Sequence, residues 1–335
     1  LISSYIQCSS KFIMSGFSRP RIGISKCLEF DMCRYDGSRI NNNFVRNMKE
    51  YVDFVPVCPE VGIGLGSPRK PIRLVTIDGE KNLYQPSSKK NLTEDMHAFG
   101  KNFAESNSKL DGFIFKRDSP TCGITDVRLY HKLGDHVGYS KTSGMFSEDV
   151  LKNFPNIVKE DEKRLNNISI RENFLTRIFV LADLKESLES NSIEKVFEFY
   201  SKNMLLFLCH DKKLTAQLGS IFKIEDNFVI VSQEFKNVVP TILSCVPKKN
   251  AIIDTYNYIF SLIKSNLSES ERSHYYSLIH GFENNLILNS EISTLLYSWA
   301  LRYDLEIIIE QSLFNPFPKN LLLDLVESKK EYSVL

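Results

Sequence analysis

Val55-Pro56-Val57-Cys58-Pro59-Glu60 is a short apolar run that ends in a thiol, with a carboxylate two positions further on. Two other thiols stand in comparable places. Cys27 follows Ile22-Gly23-Ile24-Ser25, and Cys122 follows Gly112-Phe113-Ile114-Phe115, within Ser119-Pro120-Thr121-Cys122-Gly123. β-type runs that each end near a cysteine predict three thiols at one edge of a sheet, in a position to ligate one metal centre. Cys27 and Cys58 are 31 positions apart, and Cys58 and Cys122 are 64 apart. Such spacing is a weak metal signal by itself, and each cysteine taken alone also fits a small buried apolar residue.

Working outward, Arg21 to Ser25 reads as a strand, Phe44 to Tyr51 as a short helix and Val52 to Cys58 as a second strand. Strand, helix, strand is the signature of a βαβ unit and a parallel sheet. Ile72 to Ile77 is a further strand closed by Asp78-Gly79. Tyr84 to Lys90 reads as a polar loop. Thr93 is placed to cap a helix carrying Met96, Phe99 and Phe103, and Phe113 to Phe115 forms the strand before Cys122. In open parallel sheets, ligands collect beyond the carboxyl ends of the strands, where all three thiols fall.

From Phe146 the pattern turns helical. The charged run Glu160 to Arg164 reads as a solvated face or connector. Asn191 with Glu194, and Ser268 with Glu271, read as helix starts. Ile292, Leu295, Leu296, Trp299 and Tyr303 form an apolar stripe, and Phe228 to Val231 reads as a short strand. The expected architecture is an α/β domain with a Rossmann-like parallel sheet, followed by an α-helical domain. The expected boundaries are 1–19 for an N-terminal extension, 20–165 for the first domain and 166–335 for the second.

The totals bound the function. A chain of 335 residues suits two domains. Lys+Arg 42 against Asp+Glu 41 supplies no broad basic field, which argues against a nucleic-acid partner. No apolar run approaches the roughly 20 residues of a membrane helix. Within Leu1 to Ile13, Lys11 follows the apolar part, the reverse of a signal peptide, and Met14-Ser15-Gly16 reads as a start. Seven cysteines, an odd number, fit a reducing cytoplasm in which thiols serve metals or catalysis.

Three motifs together resemble the TudS-type thiouracil desulfurases over roughly residues 20–150. They are Cys27-Leu28 with Arg34-Tyr35-Asp36-Gly37; Phe54 to Glu60 with Gly64-Leu65-Gly66 and Pro68-Arg69; and Gly112 to Lys116 with Ser119 to Gly123. The chain departs from that family at Leu28-Glu29-Phe30, where Leu-Leu-Gly is common after the first cysteine. The resemblance implies a [4Fe-4S] cluster held by Cys27, Cys58 and Cys122, with one iron left open to bind the sulfur of a thiocarbonyl. It implies non-redox conversion of a small thiolated pyrimidine, 2-thiouracil, to uracil and sulfide. It also implies catalytic roles for Glu60, in orienting the substrate or activating water, and for Ser119, in hydrogen bonding or proton relay. Cys33 is a minor competitor for ligation.

Gly62, Gly64 and Gly66 are not a dinucleotide loop, because Pro68 and Pro71 follow where a helix is needed. They are expected to let backbone pass near the cluster. His97 and His210 lack ligand spacing. Arg34 and Lys116 either face an anionic group or are solvated charges. The second half resembles the YbgA-like domain, through Phe199-Tyr200, Leu205 to His210, Gln217-Leu218-Gly219 and Phe314 to Pro318. That resemblance implies no chemistry. A tRNA sulfur-transfer enzyme and a non-enzymatic iron–sulfur sensor are the alternatives, and oligomeric state and preferred thiobase are left open.

Overall fold

The computed structural model describes residues 16–134 and 137–322. Cys8 and most of the expected N-terminal extension lie outside the described residues. The first element, β1 (Arg21–Ser25), is the inner strand of a parallel sheet. After it come α1 (Asn43–Met48), β2 (Asp53–Val57) and the single turn α2 (Pro59–Gly62). Next are β3 (Arg73–Ile77), β4 (Glu80–Gln85), β5 (Lys90–Asn91) and α3 (Thr93–Ser106). β6 (Gly112–Phe115), β7 (Val127–Tyr130), β8 (Tyr139–Thr142), α4 (Met145–Asn153) and β9 (Val158–Asp161) complete the α/β part.

Strand order in the first sheet is β2-β1-β6-β9. Ile22 pairs with Phe54 on one side and with Gly112 on the other, and Phe113 pairs with Lys159, all in parallel. The chain runs from β1 to β2 and then crosses to β6 on the far side of β1, which puts the topological switch point at the carboxyl edge between β1 and β6. Side chains alternate across this sheet. Ile22, Ile24 and Ile114 face one core with Phe44, Val45 and Met48. Phe113 and Phe115 face the other, with Met96, Phe103, Met145 and Phe146. Gly23 has to be glycine, since a Cβ there would lie 2.3 Å from the Phe113 ring.

Several expectations need correction. The expected strand at Ile72 to Ile77 is present as β3, and it lies in a second sheet, ordered β5-β4-β3-β7-β8, that the sequence reading did not separate from the first. The expected polar loop from Tyr84 begins inside β4, which pairs antiparallel with β3. The charged run at Glu160 is partly strand: Glu160 and Asp161 belong to β9, and Asp161 is buried, accepting from the Lys163 and Arg164 amides at 2.9 and 2.8 Å. Thr93 is the first residue inside α3 rather than its cap, and its hydroxyl accepts from the Leu83 amide at 2.9 Å.

The helical part begins with α5 (Ile168–Glu189), capped by Asn167. α6 (Ile193–His210), α7 (Lys212–Ile221), α8 (Phe228–Ser244), α9 (Lys249–Ile263), α10 (Glu269–Glu283), α11 (Asn289–Arg302) and α12 (Glu306–Ile309) follow. Phe228 to Val231 is therefore the start of a helix capped by Asn227, not a strand. Ser192, not Asn191, caps α6, and Asn191 sits at a φ of 53°. The Ser268–Glu271 capping box is present.

α5 is apolar on two faces, as expected of a helix buried from both sides. Phe174, Leu175, Ile178 and Phe179 pack on the parallel sheet. Val180, Leu184 and Leu188 pack with Val196, Phe207 and Phe235 of the helical part. Lys185 also reaches Asp111, at the entry to β6, at 2.6 Å. At the other end of the helical part, Phe314 belongs to its core while Phe317 and Leu321 return to the sheet. A chain cut after residue 165 would strip α5, Phe317 and Leu321 from the face of the sheet that α1 only partly covers. Among the described residues, no helix is long and apolar enough to cross a membrane.

Candidate active site

The three predicted thiols lie beyond the carboxyl ends of three neighbouring strands. Cys27 is held two residues past β1 by its own carbonyl, which accepts from the Ile40 amide at 2.9 Å, and by the Lys26 amide, which donates to Val57 at 2.8 Å. Cys58 directly follows β2 and is the extended residue before α2. Pro59 starts that turn with its φ already set, and Glu60 is carried into the first turn. Cys122 sits in the loop after β6, buried, where Ser119 folds the chain back on itself. The Ser119 Oγ accepts from the Cys122 amide at 3.1 Å and the Thr121 amide at 3.3 Å.

The departure at Leu28-Glu29-Phe30 has a structural basis. Glu29 adopts a φ of 68°, and its buried carboxylate accepts from the Asn42 amide, at the start of α1, and from Arg46 at 3.1 Å. This loop shape brings Cys33 inward. Cys33 is buried, and its thiol shares hydrogen bonds with those of Cys27 and Cys58. The bond with Cys27 pushes the Cys33 thiol up to about 11. The Cys33 partner and then burial push Cys58 up, and burial pushes Cys122 up to about 12. The Cys122 thiol also meets Ser25, and it feels the charges of Glu60 and Cys58. The six cysteines among the described residues, these four included, are free thiols. Among the described residues, no three His, Cys, Asp or Glu side chains form a group that could hold a single metal ion.

Glu60 is buried and tied down on both oxygens. Arg69 donates to Oε2 through Nε at 2.7 Å and also through Nη2. Thr121 Oγ1 donates to Oε1 at 2.9 Å. The side chains of this ion pair are only 5% (Arg69) and 11% (Glu60) exposed. A carboxylate has about four acceptor directions. Three are filled, leaving one open on Oε1. Arg69 also spans the rim of the site, donating to the carbonyls of Cys33 at 2.9 Å and Gly66 at 2.8 Å. Ser67 Oγ joins the same two loops by donating to the Met32 carbonyl at 2.7 Å.

Ser119 is linked to Glu60 indirectly, its Oγ lying 3.0 Å from Thr121 Oγ1. Lys116 is turned to Glu162 at 2.8 Å, and Arg34 to Ser38 at 2.7 Å and Asp36 at 3.4 Å. Both charges are thus engaged by the protein itself. Gly62 abuts the Phe99 ring, so its missing side chain makes room for α3. His97 of α3 pairs with Asp149 of α4 at 2.8 Å, and His210 is buried in the helical part. Sequence reasoning assigned no role to Thr121 or Arg69, although both lie inside quoted motifs.

The family model for 2-thiouracil desulfurase matches residues 22–162, which span the parallel sheet and every residue of this site. An uncharacterized protein of Bacillus subtilis (strain 168), YbbK, is 30% identical over 107 residues, covering 30% of this chain and 71% of that protein. The chain belongs to the 2-thiouracil desulfurase family. It is therefore an enzyme of that class. Its desulfurase domain also resembles a solved structure described as the [4Fe-4S]-dependent thiouracil desulfidase TudS. That likeness has 22% identity and a TM-score of 0.33, and covers 44% of this chain and 93% of the other. Fused to the desulfurase domain is a region, residues 202–318, that matches a family described as a protein of unknown function (DUF1722).

Proposed function

We propose that the desulfurase domain converts a thiolated pyrimidine, 2-thiouracil in the simplest case, to uracil and sulfide, using a [4Fe-4S] cluster held by Cys27, Cys58 and Cys122. The donor set fits such a group: three free thiols past the ends of adjacent parallel strands, all of them soft sulfur ligands. When bound, the cluster supplies an iron without a protein ligand, a Lewis acid for the thiocarbonyl sulfur, and no net electron transfer is needed. The three thiols lose their protons on ligation, so assembly releases protons.

The chain's own residues account for the rest. Water adds its oxygen to the ring carbon, the carbon–sulfur bond breaks, and sulfur leaves as sulfide. Glu60 has one acceptor direction open on Oε1, enough to take a ring N–H or the proton of the attacking water. Arg69 and Thr121 hold that carboxylate still. Ser119 completes the polar wall beside Cys122. The observation that carries this reading is the Arg69–Glu60–Thr121–Ser119 network beside the thiols, with Glu60 and Thr121 buried at its centre. The test is anaerobic reconstitution with iron and sulfide, followed by incubation with 2-thiouracil. Four irons per chain and catalytic release of uracil are expected. A loaded protein that leaves 2-thiouracil intact would refute the proposal.

A further inference from the structure

We infer that Thr121 is a positioning residue, one whose hydroxyl fixes both where the open acceptor of Glu60 points and which way the Ser119 proton points. The inference rests on the proposed function. Its basis is a count of protons. Thr121 is fully buried, and its Oγ1 has three neighbours: Glu60 Oε1 at 2.9 Å, Ser119 Oγ at 3.0 Å and Cys122 Sγ at 3.6 Å. A threonine hydroxyl has one proton to give. Glu60, paired with Arg69, can only accept, so the Thr121 proton goes to Oε1. Ser119 must then donate to Thr121.

The oxygen of Ser119 already accepts from two amides, those of Thr121 and Cys122. With its proton given to Thr121 it has no bonding direction left for a substrate. Ser119 reaches a bound pyrimidine only by turning its O–H away from Thr121, which leaves Thr121 Oγ1 without the Ser119 donor. The two catalytic side chains are therefore coupled through one hydroxyl. A side chain of the same shape without that hydroxyl frees both: Glu60 loses the donor that fixes Oε1, and Ser119 loses the acceptor that fixes its proton. Arg69 cannot replace it, because both of its contacts with the carboxylate lie on Oε2.

The test compares Thr121→Val, nearly isosteric but without the hydroxyl, with Thr121→Ser, which keeps it. Both are made in the full-length protein and reconstituted anaerobically. Thr121→Val is expected to keep its iron and its KM within about twofold, while kcat falls roughly tenfold or more, as expected for loss of one hydrogen bond to a charged group. Thr121→Ser is expected to restore kcat to within about threefold. A purely structural role would lower iron content or stability without that kcat-specific loss and serine rescue. Urea unfolding of the cluster-free chain provides a second readout, through the cycle of Thr121→Val with Glu60→Gln, where the double variant should be less destabilised than the sum of the singles. An unchanged kcat in Thr121→Val, or an additive unfolding cycle, overturns the inference. A wild type that releases no sulfide overturns the proposed function instead, and the unfolding cycle then still decides the inference.

Discussion

Arg69→Met tests the site's architecture before any chemistry occurs. Methionine keeps much of the stem volume and removes every donor. The native guanidinium makes two contacts to Glu60 Oε2, one of them at 2.7 Å, and donates to the Cys33 carbonyl at 2.9 Å. Both side chains of the pair are nearly closed to water. Removing one partner of such a pair costs about 3–5 kcal/mol, because the remaining charge is left buried and uncompensated. At about 2–4 °C per kcal/mol for a unit of 150–250 residues, the transition falls by about 6–20 °C. The assay is calorimetry of the cluster-free, full-length protein at neutral pH. Arg69→Met combined with Glu60→Gln should recover about half of the loss or more, since the stranded charge is then gone. A single variant within about 1 kcal/mol of wild type, or a double variant no better than the single, would refute the ion pair as drawn.

Three further outcomes are expected. Cys27→Ser, Cys58→Ser and Cys122→Ser should each lose most of the reconstituted iron, while Cys209→Ser and Cys245→Ser keep it; full retention in any of the first three, measured as iron per chain, would break the ligand assignment. Glu60→Gln should keep its iron and visible spectrum while turnover falls about 10²–10⁴-fold, and near-normal sulfide release would remove Glu60 from the mechanism. His210 donates its Nδ1–H to the Cys245 carbonyl at 2.6 Å, and burial holds its imidazole below the ordinary 6.5. A group with a depressed imidazole pKa favours the fold while neutral, so this stabilisation is present above 6.5 and is lost as pH falls below it. The urea midpoint followed by Trp299 fluorescence should therefore drop from about pH 7 to about pH 5.5. It should drop less in His210→Gln, and equal slopes would count against the role.

The parallel sheet was legible because β1, β2 and β6 are short, nearly continuous apolar runs, as strands buried on both faces must be. Of the second sheet only β3 was legible, because Glu80-Lys81-Asn82-Leu83-Tyr84-Gln85 and Tyr139-Ser140-Lys141-Thr142 are largely polar and carry no strand pattern. β9 was hidden by charge: Asp161 is spent on backbone amides and Glu162 on Lys116 and the Arg117 amide, which composition does not reveal. Phe228-Val229-Ile230-Val231 has strand composition, and the Asn227 cap and the tertiary packing of Val231 and Phe235 decide for helix. In the site, cysteines and a carboxylate at strand ends are visible in the sequence. Arg69 and Thr121 act through contacts to Glu60 across 9 and 61 positions, and no local pattern records those.

The most direct measurement of the central claim is the product balance of the anaerobically reconstituted chain acting on 2-thiouracil in ¹⁸O-labelled water, with no electron donor added. The account predicts uracil and sulfide in equal amounts over many turnovers, with one label from water in each uracil. Turnover that requires a reductant, or uracil whose oxygen does not come from water, would contradict it.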